Sequence, residues 1–490
     1  MRRRAKEAWR ILDKDLRQQG MIERAGQHVA RPLVAPALAL IFLMVSAFLG
    51  LSLAGLGEGE LLLVAASGFA GYMALNIGAN DIGNNLGPVL GARAVPLVPM
   101  LAMAAMAEFA GAILAGGPVA ETIGFGLIAP DTAQGGRVAH VMLAGLIAAG
   151  LWVNLATLIS ASVSTTHAIV GGIVGAGLVA FGPAAVDWPE LLVITLVWIA
   201  SPLMGGVLAA GILAGVRWRI EEVEDRRAAA LLWVPRLMGV MAGAFVTYAL
   251  VGLPGIGTAR PMVALAAGAA AAVIVAQASR PACRRQVAQW PTDRRPSGKA
   301  LRGIFRLPLV AAALLFSFAH GANDVSNAVG PLAAILHSDA TPQETPGAGF
   351  TALGLGGLGI ALGVLLFGPR LIRVVGSEIT KLNPLRGFAV LLSAAVTATA
   401  ASWAGLPVSS THIALGGIFG IGFWREAQES RLARRSGGER GAGPPPEERR
   451  RRRLVRRSLI FTMIGAWTVT LPLSGGLAAT IFLILDRLGG

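Results

Sequence analysis

The sequence predicts an all-α polytopic membrane protein of two inverted-topology repeats, with broken or re-entrant helices and roughly 10–12 transmembrane helices. Three observations predict this class: long apolar segments, few charged residues, and two motifs that each occur twice. Of the 490 residues, 54% are apolar and 14% are charged, whereas a soluble protein carries about 25% charged residues. The charges lie mostly between apolar runs, so the chain belongs to the membrane class.

Apolar runs long enough to cross a bilayer, which needs roughly 20 helical residues, occur along most of the chain. They are predicted near residues 36–56, 61–79, 96–115, 138–160, 190–215, 231–253, 261–278, 306–319, 350–367, 387–405 and 458–485, with shorter pieces near 165–182, 327–336 and 409–424. The predicted regions are a basic amphipathic N-terminus (1–30), a first repeat half with a leading helix (31–216), basic loops with a linking helical hairpin (217–302), a second half (303–424), a disordered Arg-rich loop (425–457) and a C-terminal span (458–490).

The net charge of +15 is concentrated in connections beside the apolar runs, chiefly 217–227, 280–302 and 425–457. The positive-inside rule assigns these connections, and the N-terminus, to the cytoplasm. No basic groove with interleaved aromatic residues occurs, so no nucleic-acid partner is expected. The first 30 residues lack the pattern of a signal peptide. We therefore expect a multi-pass protein of the cell membrane, the bacterial inner membrane, with lipid as its surroundings.

Two motifs recur in the same order. GANDIGNNLGP at 78–88 is matched by GANDVSNAVGP at 321–331, and SVSTTHAIVGGIVGAG at 162–177 by PVSSTHIALGGIFGIG at 407–422. The aspartates of the first pair lie 243 positions apart, and the histidines of the second pair 245 positions apart. Two different motifs at nearly one spacing indicate an internal duplication.

The first motif places carboxylate and amide groups in apolar surroundings. These groups are Asn80, Asp81, Asn84 and Asn85 in one copy and Asn323, Asp324, Ser326 and Asn327 in the other. A carboxylate at membrane depth is costly unless it is paired, hydrated or protonated, which makes it a candidate functional group. The flanking Gly and Gly-Pro residues predict broken helices lining a cavity. The alternative, a surface turn in which Asn and Asp cap helices, is disfavoured by the duplication.

The second motif is rich in hydroxyl groups and precedes a Gly-rich apolar run. It contains Ser160, Ser162, Ser164, Thr165, Thr166 and His167, and then Ser409, Ser410, Thr411 and His412. This order predicts the N-terminus of a half-helix, where free N–H groups and the helix dipole favour an anion. Ordinary helix capping by Ser and Thr is the alternative. The histidines either titrate near neutral pH or are packed and hydrogen-bonded.

Carboxylates beside an anion site repel the anion unless a cation or a proton neutralises them. The combination therefore predicts cation-coupled transport of a small tetrahedral oxyanion, at a site where two repeats meet. Phosphate keeps a proton at neutral pH and can donate a hydrogen bond to a carboxylate, whereas sulfate cannot. Ionised aspartates therefore favour phosphate.

The duplicated GAND motif, with S-[TS]-T-H before a Gly-rich run in each half, resembles the PiT (inorganic phosphate transporter) family of permeases. The resemblance implies a transport region and a scaffold region, a homodimer, and phosphate carried with Na⁺ or H⁺. It implies no enzyme activity and no cofactor beyond the coupling ion. The predicted phosphate ligands are Asp81, Asn84, Ser164, Thr165, Thr166, Asp324, Asn327, Ser409, Ser410 and Thr411. The predicted coupling residues are Asn80, Asp81, Glu108, Asn323, Asp324 and His320, with Na⁺, if used, near Asp81 and Asp324.

Two positions break the symmetry of the halves. Glu108 resembles the family's acidic residue in the helix after the first GAND, and its counterpart is expected at about Leu391 in GFAVLLSAA. His320, just before the second GAND, has Ile77 as its counterpart. Both departures favour proton coupling over a symmetric sodium arrangement.

Several alternatives remain open at this point. A sulfate permease or a metal–phosphate/H⁺ symporter on the same scaffold would use the same motifs. A passive channel would need no coupling. An intramembrane hydrolase using the two aspartates is disfavoured, because neither HExxH nor GxSxG occurs. The single Cys283 excludes an intrachain disulfide and a multi-Cys metal site.

Overall fold

The computed structural model describes residues 33–52, 60–92, 94–129, 136–159, 163–252, 261–290, 298–338, 348–375, 382–435 and 457–489. Within these residues the chain is almost entirely helical. The helices are α1 (Leu33–Ser52), α2 (Glu60–Gly91), α3 (Leu97–Ala115), α4 (Gly117–Phe125), α5 (Arg137–Leu158), α6 (Thr165–Phe181), α7 (Trp188–Val216), α8 (Arg226–Val251), α9 (Pro261–Ala288), α10 (Gly298–Gly303), α11 (Arg306–Asp324), α12 (Ser326–Leu336), α13 (Ala348–Val375), α14 (Pro384–Trp403), α15 (Ser410–Arg435) and α16 (Arg457–Gly489).

Eleven helical stretches of the described chain are long and apolar enough to cross a membrane. This number lies inside the range that the sequence predicts. The outer helices expose strongly apolar surfaces. Only 22% of the residues in the most apolar window of α1, and 17% in that of α9, are buried inside the protein. Such surfaces are stable only against lipid or another protein, so the chain is a membrane protein.

The helices pack in a pattern that repeats when the two halves are exchanged. Helix α2 packs on α13 while α11 packs on α3, and α6 packs on α16 while α15 packs on α7. The pairs α2 with α5 and α11 with α14 follow the same rule. The first-half helices α2, α3, α5, α6 and α7 therefore correspond to α11–α12, α13, α14, α15 and α16. This is the arrangement that a duplicated chain with interlocked halves is expected to have.

Glycines in the GAND motifs let backbones touch. A Cβ added to Gly78 would collide with the carbonyl group of Ile360, and one added to Gly321 would collide with the backbone of Glu108. The two contacts are equivalent, so Ile360 on α13 is the counterpart of Glu108. The expected counterpart, Leu391, was wrong, because it lies on α14, which corresponds to α5.

The predicted break at the first GAND motif was also wrong. Helix α2 runs without interruption through Gly78 and Pro88, because the glycine provides close packing on α13 rather than a bend. At the second motif, α11 ends at Asp324 and α12 begins at Ser326, so the helix is interrupted at one residue. The helix starts that carry hydroxyl groups, α6 and α15, follow non-helical segments.

The linking region forms the expected hairpin: α8 and α9 pack side by side, and Gly243 lies against Gly268 and Ala272. Helix α7 continues into a π-helical turn, Arg217–Glu221, and Asp225 caps α8. Helix α15 extends to Arg435, beyond the predicted end near residue 424. The predicted N-terminal segment 1–30 and most of the predicted Arg-rich loop lie outside the described residues.

Candidate functional site

The acidic residues of the two GAND motifs meet in the interior of the protein. Asp81 on α2 and Asp324 on α11 are each 1% exposed. Ligand atoms of Asp81, Asp324 and His320 all lie within 4.8 Å of one another. The packing of α2 and α11 against each other therefore brings together two carboxylates that are 243 positions apart in sequence.

The hydroxyl-rich helix starts join these acids, largely across the halves. Thr411 Oγ1 donates to Asp81 Oδ1 at 3.1 Å and accepts from Asn84 Nδ2 at 2.8 Å. Asn327 Nδ2 lies 3.4 Å from Thr165 Oγ1 and 3.3 Å from Thr166 Oγ1. The first-half motif thus contacts the start of α15, and the second-half motif contacts the start of α6. Within the second half, Ser410 Oγ donates to Asp324 Oδ2 at 3.3 Å.

The serine directly before each half-helix acts as a helix cap. Ser164 Oγ accepts from the backbone N–H of His167 at 3.2 Å, and Ser409 Oγ accepts from that of His412 at 3.4 Å. Both serines are buried. Capping thus accounts for these two hydroxyls, while Thr165, Thr166, Ser410 and Thr411 hydrogen-bond the GAND residues. Ser160 and Ser162 lie outside the described residues.

Asn80 and Asn323 hold the segments that lead into the half-helices. Asn323 donates to Ser402 Oγ and to the carbonyl of Leu406, both at 3.1 Å, and accepts from the backbone N–H of Val408 at 3.0 Å. Asn80 accepts from Thr157 Oγ1 at 3.2 Å and donates to Asp81 Oδ1 at 3.1 Å. These amides therefore position the neighbouring backbone and the first aspartate.

His320 stands between three carboxylates. Its Nε2 lies 3.1 Å from Asp324 Oδ2 and 3.7 Å from Asp81 Oδ2, and its Nδ1 lies 3.3 Å from Glu108 Oε1. Glu108 is fully buried and accepts a hydrogen bond of 2.8 Å from Asn85 Nδ2. The imidazole of His320 thus links Glu108 to the two aspartates. Asn85 is a contact that was not among the predicted site residues, although it lies in the first motif.

Several oxygens of the site have no hydrogen-bond donor within the described chain. They are Asp81 Oδ2, Asp324 Oδ1, Glu108 Oε2 and Asn327 Oδ1. A buried acceptor without a donor costs about 1–3 kcal/mol, more when it is charged. The three carboxylates around His320 can therefore coordinate a cation, bind a proton, or accept a hydrogen bond from a protonated anion. An unprotonated dianion alone is disfavoured there by charge repulsion.

The two motif histidines belong to a ring cluster behind the threonines. His167 packs against Trp198 with ring centres 3.9 Å apart, and His412 against Trp467 at 3.8 Å. The two imidazoles contact each other at 4.8 Å. Trp198 on α7 and Trp467 on α16 hold equivalent places in the two halves. Both rings are packed, as one alternative predicted, but within the described chain both ring nitrogens of His167 and Nδ1 of His412 have no hydrogen-bond partner, so the expected hydrogen bonds of His167 are not present there. Sequence spacing gave no signal for the tryptophans.

The sequence and the fold were compared with known proteins. Residues 77–478 match the phosphate transporter family. A Helicobacter pylori protein named "Putative phosphate permease" is 41% identical over 420 residues, 84% of this chain and 78% of that protein. The Arabidopsis thaliana "Inorganic phosphate transporter 2-1, chloroplastic" is 31% identical, over 93% of this chain and 78% of that protein. A solved structure titled "The sodium-dependent phosphate transporter" has a TM-score of 0.76 and 29% identity, over 87% of this chain and 99% of that chain.

Proposed function

The chain belongs to the phosphate transporter family, and from that premise we propose that it imports inorganic phosphate across the cell membrane as a symporter with H⁺ or Na⁺. The observation that carries the proposal is the convergence of Asp81 and Asp324 with the hydroxyl-bearing starts of α6 and α15. Each half contributes one acid and one helix start. Such a site lies where two repeats meet, which is where repeat transporters bind their substrates.

Phosphate would be held by neutral donors rather than by a fixed positive side chain. The proposed donors are the hydroxyls of Thr165, Thr166, Ser410 and Thr411 and the amides of Asn84 and Asn327, with N–H groups at the starts of α6 and α15. Ser164 and Ser409 would contribute through the caps that they form. Asp81 and Asp324 would accept hydrogen bonds from protonated phosphate oxygens. Neutral ligands allow release as well as binding.

The coupling cation would act by neutralising the carboxylates. Asp81, Asp324 and Glu108 would otherwise hold up to three negative charges in a buried site, and each would repel phosphate. Entry of a cation would therefore precede stable binding of the anion. Import against a gradient follows, because phosphate binds only to the cation-loaded form.

The groups around Asp81 and Asp324 offer a place for either coupling cation. If H⁺ is used, His320 is the natural carrier, because its imidazole contacts both aspartates and Glu108. If Na⁺ is used, the free oxygens of Asp81 and Asp324 are the natural ligands. The similar solved structure is titled as a sodium-dependent transporter, which supports Na⁺. The contacts of His320 support H⁺.

Uptake by purified protein in liposomes tests the proposal. A sodium gradient and a pH gradient are imposed separately, and radiolabelled phosphate is followed. Accumulation above the equilibrium level under either gradient is expected, and an ionophore that dissipates this gradient should abolish the accumulation. Entry that only equilibrates would indicate a passive channel. Complete inhibition by equimolar sulfate would indicate a sulfate permease, and a strict requirement for a divalent metal would indicate metal–phosphate transport.

We further propose a homodimer in the bacterial inner membrane with a cytoplasmic N-terminus. The basic connections beside the apolar helices support the orientation. Outward-facing apolar residues such as Met262 (74% exposed) and Ile274 (65%) on α9 support contact with lipid or a second copy. The membership of a transporter family supports the expectation that the chain is not an enzyme.

A further inference from the structure

A second polar site lies on the side of the protein where the helices join the basic connections. It is a cavity of about 290 Å³ among the ends of α7, α10, α14 and α15. Its charged lining residues are Arg217, Glu221, Arg302, Arg386 and Arg425, and the amides of Asn383 and Gln428 also line it. Four arginines and one glutamate converge on a space large enough for a phosphate group with its substituents. We call this the arginine pocket.

The positive charge of the arginine pocket is only partly compensated. Arg217 Nε lies 3.2 Å from Glu221 Oε2, its Nη2 lies 3.8 Å from Glu222 Oε1, and its Nη1 donates to Gln428 at 2.5 Å. Arg302 and Arg386 make no ion pair with any residue that the structure describes. Like charges held together in a part-buried cavity repel one another, so an anion bound beside Arg302 and Arg386 is stabilised by their charges.

Neighbouring features add to this field. Helix α14 begins at Pro384, and its cap Asn383 lines the pocket, so the positive end of a 20-residue helix points toward it. The sequence of the adjoining segment 436–456 carries seven arginines against three glutamates. This segment therefore adds net positive charge to the sequence that follows α15.

Tryptophans place the arginine pocket at the depth of lipid headgroups. The guanidinium carbon of Arg217 lies 5.2 Å from the Trp424 ring centre, and that of Arg219 lies 4.3 Å from Trp218. Trp218 is 63% exposed on the outer surface. Tryptophan and arginine side chains concentrate at the membrane–water interface, where lipid phosphates are the most abundant anions.

We propose that the arginine pocket binds a phosphate group, supplied by the headgroup of an anionic lipid or by free inorganic phosphate, at a site separate from the transport site. Arginine suits this ligand, because its planar fork of donors matches phosphate oxygens. The bound group joins α15 to α7, α10 and α14. Helix α15 begins at the Ser410 and Thr411 hydroxyls, about 21 Å away along the helix at 1.5 Å per residue, so the ligand anchors the far end of a site helix.

The experiment uses the full chain with Asp81→Asn and Asp324→Asn, so that phosphate at the transport site does not contribute. The protein is placed in nanodiscs of phosphatidylcholine alone or with phosphatidylglycerol, and Tm is followed by tryptophan fluorescence. Inorganic phosphate is added in one arm, with potassium chloride of equal ionic strength as its control. The wild-type chain is measured in parallel in both lipids, so that any folding defect caused by Asp81→Asn and Asp324→Asn is detected.

The test variant is Arg302→Gln with Arg386→Gln. The matched control is Arg370→Gln with Arg431→Gln, which removes the same charge from two exposed residues outside the pocket. Phosphatidylglycerol or phosphate is expected to raise Tm by about 2 °C or more, as ligand linkage predicts. The rise should persist in the control and vanish in the test variant, and Arg302→Gln alone should reduce it.

The arm that shows the rise identifies the source of the phosphate group. A rise with phosphatidylglycerol assigns a lipid headgroup, and a rise with inorganic phosphate assigns the free anion. No rise in either arm, or an equal rise in the test variant and in wild type, would overturn the proposal. These outcomes do not depend on uptake, so failure here is distinguishable from failure of the proposed transport function.

Discussion

The two acids of the central site are held in different ways by equivalent helices. Asp81 Oδ1 accepts from three neutral donors, Asn80, Asn84 and Thr411, at 3.1–3.4 Å. Asp324 Oδ2 accepts from Ser410 and faces the imidazole of His320 at 3.1 Å. The duplication preserved the backbone contacts around both acids while their titratable partners diverged.

Two ionisable residues of the site have apolar counterparts in the other half. Where the second half has His320 the first half has Ile77, and where the first half has Glu108 the second half has Ile360. His320 and Glu108 contact each other at 3.3 Å. His320 and Glu108 thus each stand where the other half has an isoleucine, and we propose that substrate binding uses both halves while cation coupling uses this pair.

The strongest test of this comparison removes one acid at a time. Asp81→Asn and Asp324→Asn are each expected to abolish phosphate uptake into liposomes. The rate should fall at least about 30-fold, because each variant loses about 2 kcal/mol of hydrogen bonding to a charged group. Asp225→Asn is the control, because Asp225 caps α8 and asparagine caps equally well. Wild-type uptake by either site variant would remove the proposed role of that acid.

The next test makes the two halves alike. His320→Ile leaves buried carboxylates without their partner and should lower the free energy of unfolding by about 3–5 kcal/mol, the loss typical of a broken buried pair. Adding Glu108→Ile removes one of these orphaned charges, so the double variant should be more stable than His320→Ile alone. Thermal unfolding of the wild type, the two single variants and the double variant in detergent measures the coupling. Additive losses would mean that the two residues do not interact.

Scaffold symmetry is tested by glycine substitutions. Gly78→Ala and Gly321→Ala should each destabilise the protein by a similar amount, about 1–3 kcal/mol, because the new Cβ meets a neighbouring backbone in both cases. Gly91→Ala in the same helix α2 meets nothing within 4 Å and should have no such effect. The midpoints of thermal unfolding give the comparison. A tolerated Gly321→Ala with a damaging Gly78→Ala would contradict equivalent packing.

The smallest expected effect compares two hydroxyls. Thr411→Val removes a hydrogen bond to the Asp81 carboxylate, whereas Thr166→Val removes one to the Val408 carbonyl at 3.0 Å. Bonds to charged groups are worth about twice as much, so Thr411→Val should raise KM for phosphate more than Thr166→Val does. Each increase is expected to be about 2–10-fold. The reverse order would place the main substrate contact on α6.

Much of the fold was predictable because it follows from local chemistry. Long apolar runs predicted the spans, and the α8–α9 hairpin followed from two runs between basic connections. The glycines around Asp81 were misinterpreted, because a glycine that permits a bend and one that permits contact with another helix are identical in sequence. Glu108 was paired with the wrong helix because Leu391 was chosen outside the spacing of the repeat: it lies 283 positions after Glu108, whereas the motifs lie 243 and 245 positions apart. That spacing points to residues 351–353 on α13, the helix that carries Ile360.

The membrane class, the family and the duplicated motifs follow from the sequence, since apolar length, composition and repeat spacing are properties of the chain alone. Which groups meet depends on the tertiary structure. It paired Thr411 with Asp81 and Asn327 with Thr165, set His320 between three carboxylates, and gathered the arginine pocket from four helix ends. Those contacts depend on how helices distant in sequence cross, and close backbone packing at glycines, rather than any local propensity, sets the crossing.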